Sequence, residues 1–133
     1  IATPGPLKMQ MAQEFFRDLW SRARKRLMDA QEIYVLGFGF PPSDAHPREQ
    51  LLNALRENTK DDVRAHVVLG PDTNSATARR VVELLHGTLR SPVVVHDPAR
   101  RSEVPGPYAA IFPYALYAED FLTLWSNRTP IPP

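Results

Sequence analysis

Ile33-Tyr34-Val35-Leu36-Gly37-Phe38-Gly39-Phe40-Pro41-Pro42-Ser43-Asp44 decides the fold. The first four residues are apolar and rich in strand formers. Two glycines and two prolines then stop the run. A short apolar run ended by such residues is a buried strand feeding a loop, and a strand buried on both faces belongs to a parallel sheet.

The flanking segments carry a different period. Met11, Phe15, Phe16, Leu19, Trp20, Ala23, Leu27 and Met28 recur at helical spacing, which predicts an amphipathic helix over about 8–30. Residues 1–7, with Pro4, Gly5 and Pro6, read as an extended entry. After the loop, Leu51, Leu52 and Leu55 predict a helix over about 47–58, with Pro47 at its first position. Val63–Leu69 reads as a second strand and about 75–86 as a third helix, with Asn74 or Thr73 as its cap and Gly87 as its stop. Residues 92–95 read as a third strand. The alternation predicts an α/β fold: a three-layer, Rossmann-like domain with a short parallel sheet of about three strands and flanking helices. The expected division is residues 1–100 as this αβαβαβ half domain and 101–133 as a proline- and aromatic-rich tail. That tail would pack on the domain or on a partner. A short helix fits about 115–125, after Pro113.

Composition narrows the function. The 133 residues are one domain's length, with 16 Lys+Arg against 15 Asp+Glu and a net charge of +1. That balance gives no reason to expect nucleic acid, and no apolar run is long enough to predict a membrane span. With no cysteine, neither a disulfide framework nor a cysteine-ligated zinc site is possible. No signal-peptide pattern is present, and the expected location is cytoplasmic. Fourteen prolines are about twice the usual share, and eight of them lie from Pro92 onward. Three strands leave an open sheet edge, which a homo-oligomer, a second chain or another domain would complete.

In an open parallel sheet, ligands gather at the carboxyl ends of the strands. Three loops are selected: 37–46, 70–74 and 96–101. Gly37, Phe38 and Gly39 form a tight turn that lets backbone approach a ligand, or that needs glycine for sterics alone. The third glycine of the dinucleotide fingerprint is absent, and Pro42 stands in its place. Asp44 and His46, two apart beside a helix start, either bind a ribose hydroxyl or act in proton transfer, or else Asp44 or Ser43 caps the helix and His46 faces solvent. Asp72 and Asn74, in the loop after the second strand, either contact a ribose or form a cap and turn. His66 and His86 read as structural. No residue pattern supports nucleophilic catalysis, since no serine sits in a nucleophile elbow.

Ile33–His46 resembles the second-half motif of bacterial sirtuin-like domains, in which a strand runs into a Gly-Tyr-Ser-Leu/Phe-Pro-x-Thr/Ser-Asp loop. The Leu19-Trp20 helix, the Leu51-Leu52 helix and the strand ending in Pro71-Asp72 are similar too, so the resemblance spans about residues 5–86. It implies a nucleotide ligand, NAD or ADP-ribose, held by Gly37, Phe38, Gly39, Ser43, Asp44, Gly70, Asp72 and Asn74. It implies membership of a family that deacylates proteins or hydrolyses NAD, the latter often in defence against phage. Phe38-Gly39 stands where the family has Tyr-Ser, and Gly70 where it has Asn before Pro-Asp. The family's amino-terminal glycine loop has no counterpart here, so the chain resembles the carboxyl half of such a domain. No catalytic residue is assigned to it. A non-catalytic protein-interaction module that retains a degenerate nucleotide-binding fold is the alternative.

Overall fold

The computed structural model describes residues 6–90, 92–96 and 109–127. Helix α1 (Pro6–Asp29) leads into strand β1 (Glu32–Leu36). A 3-10 turn at Pro42–Asp44 opens helix α2 (Ala45–Arg56), followed by β2 (Arg64–Val68) and α3 (Ala76–Thr88). Then come β3 (Val93–Val95), β4 (Ala109–Tyr114) and α4 (Ala118–Ser126). The α/β class is as the alternation requires. The sheet has four parallel strands, in the order β1-β2-β4-β3, rather than the three expected.

The additional strand is β4, which lies between β2 and β3. It contains Pro113, a residue normally confined to sheet edges because it has no N–H to donate. The ladder explains the exception. Ala110 N–H donates to Val63 in the β2 direction, whereas Ala109 N–H donates to Pro92 on the β3 side. Position 113 shares the parity of 109, so its missing N–H faces the β3 side. The β3–β4 pairing ends at Val95↔Ile111, and no ladder bond is lost.

Strand parity also sorts the core. Ile33, Val35, Ala65, Val67, Ala109 and Ile111 face one side and pack on Leu52 and Leu55 of α2 and Val81 and Leu85 of α3, with Leu27 of α1 against them. The other side carries Val68 and Tyr114 under Phe121 of α4. Asn58 is 3% exposed, and its Nδ2 donates to the Leu27 and Ala30 carbonyls at 2.8 and 2.9 Å. That pairing satisfies the end of α1, where carbonyls lack helical partners.

Some boundaries differ from expectation. Helix α1 begins at Pro6 rather than after residue 7, since proline costs little where no N–H partner exists. Ser75, not Asn74 or Thr73, caps α3, its hydroxyl accepting from Ala78 N–H at 3.2 Å. Gly87 lies inside the last turn of α3. The entry at residues 1–5, most of the third loop (97–101) and the last six residues lie outside the described residues. No helix among those described is long and apolar enough to cross a membrane.

Candidate functional site

Helix α3 divides the residues expected to gather at the carboxyl rim. The loop after β1 leaves the sheet with Gly37 at φ +69°, and Phe40 also adopts a positive φ of 48°. Phe40 is nonetheless buried, its ring 4.8 Å from that of Phe38. Gly39 lies against α3. A Cβ placed there would stand 2.7 Å from Thr77 Cγ2, and Arg80 Nη2 donates to the Gly39 carbonyl at 2.6 Å. The glycine therefore serves helix packing at this point. Ser43 and Asp44 are exposed in the 3-10 turn, and Asp44 makes no side-chain cap to α2.

Gly70 follows β2 at φ +109° and donates its N–H to the Leu116 carbonyl at 3.0 Å, in an isolated antiparallel bridge. Gly37 faces the same segment, since its Cβ would lie 3.9 Å from Ala118 Cβ. This contact matters because of the topology. Helix α3, which follows β2, packs on one face of the sheet, and α4, which follows β4, packs on the other. Adjacent strands whose helices leave to opposite faces mark the crevice where open α/β sheets take ligands. Here the chain's own Gly70–Leu116 bridge spans that crevice.

A separate cleft of about 510 Å³ lies beyond α3. It is lined by Thr73, Asn74, Arg79, Glu83, His96 and Pro113, among others. Asp72, just before these residues, accepts from the Asn74 backbone N–H at 2.9 Å and closes an Asx turn. Among the described residues Arg79 forms no ion pair. The volume falls in the range of small-ligand sites, and the polar groups come from two strand ends and one helix. Residues of the loop after β2 and of the end of β3 line it together. Gly37, Phe38, Gly39, Ser43 and Asp44 do not line this cleft. Arg79 was not legible as a site residue, because a basic residue one turn inside a helix has the same sequence signature whether it faces solvent or a cleft.

A second cluster has no signature in the sequence beyond the structural reading of His66. On the α4 side of the sheet, Tyr34, His66 and Phe112 occupy one register row across β1, β2 and β4. Their rings stack at 4.5 Å and 5.3 Å, and His96 continues the row at 4.4 Å from Phe112. His66 Nδ1 lies 2.8 Å from Tyr114 Oη, and its Nε2 lies 3.2 Å from Glu32 Oε2. Tyr34 Oη donates to Glu32 at 2.8 Å. For Glu32, burial pulls the pKa upward. The Tyr34 hydrogen bond, with His66 and Arg64, outweighs it and holds the carboxyl below its ordinary value. Burial and the Glu32 carboxylate push the Tyr34 phenol up to about 12. The network carries a charge and a chain of exchangeable protons, but at mid-strand and away from the rim. Among the described residues no group of three or more His, Asp or Glu side chains is placed to hold a metal.

No family model, no curated protein and no solved structure matches this chain.

Proposed function

We propose that the chain binds a nucleotide of the NAD or ADP-ribose class at the carboxyl rim of its sheet, as part of a sirtuin-like domain. The observation that carries this reading is the 510 Å³ cleft at the ends of β2 and β3. Arg79 supplies a cation for a diphosphate and Asn74 an amide for a ribose at the same opening. Arg is suited to phosphate because its planar fork donates two parallel hydrogen bonds. The Gly37–Asp44 loop contributes from the other side of α3 through Ser43 and Asp44, which are exposed there. Hydrolysis of NAD belongs, in this reading, to a longer parent protein.

Calorimetric titration with NAD and with ADP-ribose tests the proposal. Saturable binding to the wild type, weakened about tenfold or more in Arg79→Ala, is expected for a lost charge-assisted contact. No heat with either ligand, or equal affinity in the variant, defeats it.

A second reading is an interaction module with a degenerate nucleotide fold. The Gly70–Leu116 bridge favours it, because the crevice that such folds use is spanned by the chain itself. Under this reading both titrations are silent.

A further inference from the structure

Helix α1 carries a ridge of side chains four residues apart: Leu7, Met11, Phe15, Leu19, Ala23 and Leu27. Its carboxyl end is covered, since Leu27 packs on the main core. Its amino end is not. Leu7, Met11, Phe15 and Leu19 are 70%, 61%, 64% and 51% exposed, and Phe16 beside them is 57% exposed. The cause is length. A helix of 24 residues spans about 36 Å at 1.5 Å per residue, roughly twice a five-residue strand, so its first half projects past the sheet. A contiguous apolar stripe on a projecting helix marks an interaction surface.

We propose that two copies of this chain associate through this ridge, with the two α1 helices crossing antiparallel near Phe15. A ridge with four-residue spacing packs into its own copy about a two-fold axis, which is the commonest helix-packing class and the commonest oligomer symmetry. Charge sets the direction. Arg22, Arg24, Lys25 and Arg26 crowd the second half of α1, whereas the first half sets Lys8 and Arg17 against Glu14 and Asp18, with Asp18 also paired to Arg22 at 3.0 Å. A parallel pair would set the two basic clusters side by side. An antiparallel crossing at Phe15 holds them roughly 27 Å apart along the axis, several screening lengths at physiological salt. At about 100 Å² for each exposed side chain, two copies cover on the order of 1,000 Å², the lower bound for a specific interface.

The test exploits the absence of native cysteine. Sedimentation equilibrium of the wild type is expected to show a concentration-dependent dimer. Phe15→Asp should weaken it about thirtyfold or more, as expected of a hot spot, with circular dichroism unchanged. Under mild oxidation, Phe15→Cys should cross-link to itself. Met11→Cys mixed with Leu19→Cys should give a heterologous cross-link, and Leu19→Cys alone should not. A monomer at every concentration, a dimer indifferent to Phe15→Asp, or no cross-link at position 15 overturns the proposal. So does a monomer that binds phosphatidylglycerol vesicles through the same ridge.

Discussion

At Gly39 a single hydrogen atom separates a packed loop from a clash. Its absent Cβ would stand 2.7 Å from Thr77 Cγ2, on a helix fixed by Ala78 and Val81 in the core. Gly39→Ala is therefore expected to cost about 1–2 kcal/mol, the range of modest overpacking, read as a lower urea midpoint at constant slope. Thr77→Ser removes the offending methyl, so the double variant should recover most of the loss. Recovery is the outcome that distinguishes this clash from a general intolerance of alanine in the loop. The Glu32–Tyr34 pair gives a second prediction. Glu32 titrates below its ordinary value in the fold, so its contribution is complete above that value and is lost as pH falls through the folded pKa. Glu32→Gln should flatten the acid limb of the stability profile. Tyr34 has the opposite sign: its contribution is complete below the ordinary phenol value and is lost as pH rises through about 12. Phenolate absorbance should show a late-ionising tyrosine in the wild type that is absent from Tyr34→Phe.

Helix α4 earns its place through one side chain. Phe121 is 2% exposed and packs edge-on against Tyr114 at 5.3 Å, and its ring lies 6.0 Å from Tyr34. Phe121→Ala should cost about 3 kcal/mol, whereas Trp125→Ala, at a residue 58% exposed, should cost less than about 1 kcal/mol. Chemical denaturation of the two variants reads the difference, and equal losses would mean that α4 docks through its outer face instead. This end of the chain also shows what sequence could not supply. The first three strands and all four helices are legible because their apolar residues follow period and because Gly or Pro punctuates them. Strand β4 is not, since Pro113 reads as a break until the ladder shows that position 113 faces the end of β3. The register row of Tyr34, His66, Phe112 and His96 was invisible for a related reason. No local pattern places residues 34, 66, 96 and 112 side by side, and only strand order does so. The loop at Gly37–Asp44 was found by its glycines, yet Gly39 is occupied by α3, a contact between residues some forty positions apart.

At the scale of the whole molecule, strand order sets the folding logic. Among the described strands, β3 pairs with β4 alone, and β4 pairs with both β2 and β3. Val93–Val95 thus has no ladder in the sheet until β4 has entered between β3 and β2. Residues 109–126 also bring the only helix described on the second sheet face, with Phe121 over Val68 and Tyr114. Parallel strands are stable when both faces are covered, and a chain lacking this segment would present Tyr34, Leu36, His66 and Val68 to water on one side. A chain ended after residue 96 should therefore lose cooperative unfolding, even though it retains six of the eight helices and strands. Its thermal transition should broaden, and amide exchange at Val93–Val95 should rise to the rate of an unstructured peptide. The full chain should show protection at those same amides that falls in step with Phe121→Ala, because both report the docking of β4 and α4. A sharp transition in the shortened chain, with protected amides in β1 and β2, would show instead that residues 6–96 fold as a unit and that β4 joins a sheet already made.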